Sequence, residues 1–311
     1  LRAAPSQDGE PPGWPAPEAR ANARWLAASA LLGTLLLVTM GGIVRATGHG
    51  LGCPDWPLCY GRVIPPALTG AWVEFSHRLL GAVAAAQILA LGLVAWRRRR
   101  DPARPPAWPA LAAVALLALQ VPLGGLHVVL EIPPLTGLVH TATAMAIVGL
   151  LAWYLAAGRP ARAQAAGRSR RLATWLAATA LAALLLVLSG SYVTRSGASL
   201  ACPDFPACGA AAVVARGLVH VQMLHRALAL AVALLLAGAL VGLWQSEARR
   251  PLRAVGGGLA LLLLAQGGLG VANVSLRLPI WSRVLHLAVA ATLWAGLVYL
   301  WGSYRTREDG T

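Results

Sequence analysis

Gly41-Gly-Ile-Val-Arg-Ala-Thr-Gly-His-Gly-Leu-Gly-Cys-Pro-Asp-Trp-Pro-Leu-Cys-Tyr-Gly61, followed shortly by Glu74-Phe-Ser-His-Arg78, joins the end of one apolar run to the start of the next. It holds two cysteines six positions apart, a carboxylate, and a histidine about to enter a hydrophobic helix. About 149 residues later Cys202-Pro-Asp-Phe-Pro-Ala-Cys208 repeats Cys53-Pro-Asp-Trp-Pro-Leu-Cys59, and His225-Arg226 repeats His77-Arg78. Downstream, Gln120 to His140 aligns with Gln266 to His286, and Pro133 with Pro279. The chain is therefore a duplication, and its chemistry is expected where the two copies face each other.

Composition sets the environment. Of 311 residues 58% are hydrophobic and only 12% charged, against about 25% charged in an ordinary soluble protein, and the mean hydropathy is +0.64. The apolar residues gather into eight runs long enough to cross a bilayer as helices, at about 25–45, 75–96, 108–128, 137–157, 172–193, 218–244, 254–274 and 283–302. The net charge of +15 is thus no sign of nucleic-acid binding; all 26 basic residues are arginine, and their placement is what informs. Arg20, Arg24, Arg97–Arg100, Arg104, the stretch 159–171, Arg249–Arg253, Arg305 and Arg307 fall on one side of the membrane, and far fewer, among them Arg62, Arg216 and Arg277, on the other. The positive-inside rule then puts both termini in the cytoplasm and both cysteine loops outside; the expected location is a bacterial cell (inner) membrane.

The expected fold class is an all-α polytopic membrane protein, its eight helices forming two four-helix bundles related by a pseudo-twofold axis along the membrane normal. The domain boundaries follow: a disordered cytoplasmic tail at 1–22 without a signal-peptide pattern, an N-terminal half at 23–158, a cytoplasmic linker at 159–171, a C-terminal half at 172–303, and a tail at 304–311. The glycine pairs Gly124-Gly125 and Gly267-Gly268 read as places where helices pack closely.

Four of the seven histidines, His77, His140, His225 and His286, occupy matched places near the outer ends of even-numbered spans. Ionisable residues inside spans are rare and usually functional. Two histidines at similar depth on neighbouring helices of each half suit the two axial ligands of a heme between them. Zinc would want three or four clustered ligands, whereas here the cysteines lie in loops and the histidines in spans. Arg78 and Arg226, next to their histidines at the water boundary, either pair with heme carboxylates or snorkel to the interface. In an oxidising compartment the cysteines read as disulfides Cys53–Cys59 and Cys202–Cys208, structural staples before redox catalysts. His49 and His220 have no counterpart and read as interfacial; His127 aligns with Asn273 and belongs to one half only. Glu74 is the most useful asymmetry. It sits one helical turn before His77, and its counterpart before His225 is Gln222, which keeps the shape and loses the charge. A proton acceptor thus stands in the first half alone, making that half the candidate for catalysis.

With these residues in view the chain resembles the heme A synthase family, over essentially residues 25–302. The resemblance rests on the 41–59 motif, Glu74-Phe-Ser-His-Arg78, Leu135-Thr-Gly-Leu-Val-His140, His225-Arg226 and Val284-Leu-His286. It implies an oxidoreductase that converts a methyl group of heme O to a formyl group, giving heme A for terminal oxidases. It further implies that His225 and His286 bind heme b, that His77 and His140 hold the substrate heme, and that Glu74 stands beside them. An enzyme producing heme O and an unidentified electron acceptor would be partners, and a homo-oligomer is compatible with this reading. The chain departs from the family pattern at His49, where a small polar residue is expected, and in the eroded second motif Ser189-Gly-Ser-Tyr-Val-Thr-Arg195. Two other classes explain part of the sequence: a non-catalytic bis-histidine electron carrier, which leaves Glu74 against Gln222 unexplained, and a thiol oxidoreductase, which leaves the histidines unexplained.

Overall fold

A computed structural model describes residues 17–101, 104–158, 170–209, 216–246 and 250–305. Its helices are α1 Pro17–Ala46, α2 Thr69–Arg97, α3 Trp108–Val129, α4 Pro134–Ala157, α5 Arg170–Arg195, α6 Arg216–Gln245, α7 Arg250–Ser275 and α8 Ile280–Arg305. All eight are long and apolar enough to span a membrane. Large apolar side chains such as Leu79, Leu89, Leu230 and Leu264 stay on the outside, where lipid is their solvent. Each expected span falls within one of these helices, and the helices extend beyond them at the ends. Residues 17–22, read as tail, are the first turns of α1, and Tyr304 and Arg305 continue α8. The remainder of both expected tails and residues 159–169 of the linker lie outside the described residues.

The helix ends have local causes. Gly48 and Gly197 hold the left-handed conformation, φ +76° and +78°, that a residue with a Cβ adopts at a cost. At the first, the His49 amide donates to Val44 O at 2.9 Å, closing α1 where the Thr-Gly sequence requires it. The α3–α4 and α7–α8 turns also match. Glu131 and Ile132, and likewise Arg277 and Leu278, have φ between +56° and +63°. The Ile132 amide donates to His127 O and the Leu278 amide to Asn273 O, both at 2.8 Å, just before Pro133 and Pro279.

Neighbour relations repeat between the halves: α1 touches α2, α4 and α8, while α5 touches α6, α8 and α4. Helices α1 and α3 each touch both α2 and α4, so α2 and α4 stand diagonally, as α6 and α8 do. The fully buried apolar residues concentrate toward the end away from the cysteine loops. Ile88, Leu91, Ala113 and Leu151 form one cluster there, and Met145, Leu176, Leu236, Leu243, Leu259 and Leu297 another. Trp294 joins the halves by donating from Nε1 to Met145 O at 2.9 Å, its ring over Gly149. Of the two glycine pairs, the first acts as expected: a methyl group at Gly124 of α3 would meet His140 of α4, and one at Gly125 the Trp56 ring, whereas Gly267 and Gly268 face open space.

Candidate functional site

The four matched histidines lie at the cysteine-loop end of the bundle, and each is approached through a glycine of an odd-numbered helix. A methyl group added at Gly41 would stand 3.2 Å from His77 Cε1, and one at Gly190 would stand 3.0 Å from His225 Cε1. At Gly124 it would be 3.2 Å from His140 Cε1, and at Gly270 3.5 Å from His286 Cε1. Four repeat-related glycines therefore form four ring-sized cradles. Gln120 lies 3.2 Å from His140 Nε2 and Gln266 3.2 Å from His286 Nε2. Thr143 and Gln120 are hydrogen-bonded as well.

The second half adds a contact that the first lacks. Ser189 Oγ lies 2.7 Å from His225 Nδ1; the corresponding residue on α1 is Met40. The buried Nδ1 atoms of His77, His140 and His286 have no hydrogen-bond partner, an uncommon condition for buried polar atoms. His127 stacks on His140 at 6.4 Å between ring centroids, 13° from parallel, and its Nδ1 lies 2.7 Å from Thr136 Oγ1. In the other half Ser282 donates to Asn273 at 2.7 Å in the matching place. The helix-to-helix bond is retained and the titratable ring exchanged for an amide.

Glu74 and Gln222 are both buried, at 5% and 4% exposure, and their partners differ. The Gln222 side-chain oxygen accepts from the Cys202 amide at 2.5 Å, and its nitrogen donates to Ser199 O at 2.9 Å. Gln222 thus ties its own cysteine loop to α6. Glu74 accepts instead from Arg78 Nε at 3.3 Å. Arg78 in turn donates to Cys53 O at 3.1 Å, Asp55 O at 3.1 Å and Leu58 O at 2.7 Å. Arg226 does the same for the second loop, donating to Cys202 O at 2.8 Å, Asp204 O at 2.7 Å and Pro206 O at 2.9 Å. The guanidinium forks at the positions read as heme-facing are engaged with loop carbonyls. Each loop is closed further by its cysteine pair, Cys53–Cys59 and Cys202–Cys208, with Cα atoms 4.6 and 5.2 Å apart.

Asp55 and Asp204 had a readable signal, the Asp shared by both Cys-Pro-Asp motifs, yet no role followed from sequence alone. Asp55 accepts from the amides of Tyr60 at 2.6 Å and Gly61 at 2.7 Å, and Asp204 from Gly209 at 3.1 Å. The Gly61 amide first, and then that of Tyr60, hold the Asp55 carboxyl below its usual range. His49 rests on Gly70 and lies 3.0 Å from Thr47 Oγ1, while His220 is exposed. Both stand apart from the matched histidines.

Three features suit an iron porphyrin. The donor sets are pairs of imidazoles, one pair in each half, on helices that stand diagonally and not side by side as the sequence suggests. Buried ring nitrogens lack partners. The helix stretches bearing the histidines, 75–83, 138–144, 223–231 and 285–290, contain no fully buried side chain, so close packing there is left to something other than this chain's own core.

Residues 23–70 and 68–298 match the COX15-CtaA family, cytochrome oxidase assembly protein. A protein named protoheme IX farnesyltransferase from Thermus thermophilus is 32% identical over an alignment of 296 positions that covers 87% of this chain and 46% of that protein. The chain therefore spans about half the length of that relative. The heme A synthase of Shouchella clausii is 31% identical over an alignment of 283 positions that covers 86% of this chain and 92% of that one. The heme A synthase of Shewanella oneidensis is 27% identical over an alignment of 326 positions that covers 89% of this chain and 96% of that one. With matched family residues running through all eight helices, the chain belongs to the COX15-CtaA family of cytochrome oxidase assembly proteins.

Proposed function

We propose that this protein is a membrane oxidoreductase of heme A synthase type, oxidising a methyl group of heme O to a formyl group to yield heme A. The reading is supported by relatives named heme A synthase that match over most of both chains. One observation carries it: two otherwise matched histidine sets differ in their titratable neighbours. Glu74 and His127 stand in the first half where Gln222 and Asn273 stand in the second.

In this reading His77 and His140 hold the iron of the substrate heme O, and His225 and His286 hold a resident heme b in the second half. When bound, heme b supplies one-electron redox chemistry. The glycines at Gly41 and Gly124 let the two first-half rings approach their neighbouring helices, fixing the substrate's depth. Methyl oxidation releases protons, and Glu74, one turn outward of His77, is the carboxylate placed to accept them. Its Arg78 partner keeps the carboxyl group oriented while also clamping the loop above the site. The two four-helix halves are related by a pseudo-twofold axis along the membrane normal, and the cysteine loops face the outside of a bacterial inner membrane with both termini in the cytoplasm. The protein works beside an enzyme that makes heme O, a pairing supported by the farnesyltransferase name of a relative of which this chain matches about half. Electrons leave to an acceptor that is a separate partner.

The test is extraction and chromatography of hemes from cells that express this chain together with a heme O supply. Heme A should form only in its presence. Heme O unchanged beside a fully heme-loaded protein would instead mark an electron carrier.

A further inference from the structure

Between the halves, toward the cysteine loops, three half-buried arginines come together without an acid. Arg45 on α1 donates to Thr194 Oγ1 of α5 at 2.6 Å. Arg195, the next residue, lies with Nε 3.3 Å from Ser191 Oγ. Its guanidinium fills the space where Gly137 of α4 has no side chain. Arg283 on α8 donates to Ala46 O of α1 at 3.1 Å. Arg195 follows Thr194, the partner of Arg45, and Arg283 holds the carbonyl of the residue after Arg45, so the three side chains are gathered at one place. None of the three has a carboxylate partner among the described residues, and these hydrogen bonds occupy few of the five N–H donors each guanidinium carries. Half-buried like charges drawn together without a counter-ion are costly, so the arrangement calls for an anion.

Its position says which anion. Arg45 lies one turn outward of Gly41, the cradle of His77, and Thr194 one turn outward of Gly190, the cradle of His225. Gly137 lies one turn outward of His140, and Arg283 one turn outward of His286. The arginines therefore form a cationic layer directly above the histidine layer, at the junction of α1, α4, α5 and α8, away from the lipid-facing sides. Heme carries its two carboxylates on one edge. We propose that Arg45, Arg195 and Arg283 form a carboxylate site shared by both halves, which receives the acidic side chains of hemes held by the two histidine pairs. The inference rests on the heme-binding reading above. It assigns the carboxylates to these residues because Arg78 and Arg226 are occupied with loop carbonyls.

The full-length chain, purified from heme-deprived cells in detergent, can be titrated with protoheme and with protoheme dimethyl ester, reading the Soret band. The diacid should bind roughly 10–100-fold tighter than the diester. Arg45→Gln, Arg195→Gln and Arg283→Gln, checked for helix content by circular dichroism, should each narrow that ratio. Equal affinity of the unmodified protein for acid and ester would overturn the arginine assignment while leaving the histidine reading intact. So would a ratio narrowed only by Arg78→Gln or Arg226→Gln. No Soret shift with either compound would overturn the heme reading and this one with it.

Discussion

Glu74 shows how one charge can separate two nearly identical sites. The second half performs the structural task at this position with an amide: Gln222 is buried and bonded to its loop. A carboxylate is therefore not required for folding there. In the first half the same position carries a charge whose hydrogen-bond partner is Arg78, which itself makes the loop contacts. Glu74→Gln should accordingly fold, keep the second-half heme spectrum, and retain an acceptor for Arg78. Loss of the proton acceptor should slow oxidation by roughly 10²–10⁴-fold, with heme O or the alcohol-level product accumulating on the protein. Glu74→Asp should keep part of the activity, because only reach is lost. Heme A formation at the unmodified rate in Glu74→Gln would move the catalytic role elsewhere, and His127, stacked on His140, would be tested next.

At the scale of elements, each cysteine loop is held in several ways at once: a disulfide, an arginine clamp and an aspartate that gathers backbone amides. The cysteines are six positions apart, and closing so short a loop stabilises by about 2 kcal/mol in the chain-entropy picture. Reduction should therefore loosen the loop without melting the helices. Circular dichroism under reducing and non-reducing conditions should show nearly equal helix content, and thiol labelling of denatured, unreduced protein should leave all four cysteines unmodified. Asp55 adds a pH dependence of definite sign. Its carboxyl is held below the ordinary value of 3.8 by the Gly61 and Tyr60 amides, so the charged form belongs to the closed loop. The bracing is fully present above that value and is lost as pH falls through the lower folded value. Amide exchange at Tyr60 and Gly61, corrected for intrinsic rates, should lose protection at that acid end. Asp55→Asn should show the loss already at neutral pH; protection unchanged in the variant would refute the bracing role.

Across the whole molecule, what could be read beforehand was what repeats in one dimension. Eight apolar runs and the doubled Cys-Pro-Asp and His-Arg motifs placed the helices and the matched histidines. Contacts between distant segments left weaker traces. The histidine cradles at Gly41, Gly124, Gly190 and Gly270 are not legible as such in the sequence, because their partners come from other helices. Nothing in the spacing of Arg45, Arg195 and Arg283 links them along the chain; α1, α5 and α8 bring them together. Arg78 and Arg226 sat at the expected depth, but the loop geometry that engages their guanidinium groups is set by chain folding back some 20 residues away. The duplication then poses the question of why two similar sites persist. Ser189 lies within hydrogen-bond reach of His225, whereas the matching residue in the first half is Met40, which has no hydroxyl, and Glu74 and His127 mark the first half alone. On the proposed reading, the second-half site would hold its heme firmly, and the first would receive and release one while protons move. Replacing His225 or His286 by Ala should abolish the low-spin b-type spectrum of the purified protein. Replacing His77 or His140 should abolish heme A formation while removing much less of that spectrum. Difference spectra and heme chromatography on the same four preparations decide it: equal spectral loss from all four changes would mean that the halves do not divide the labour.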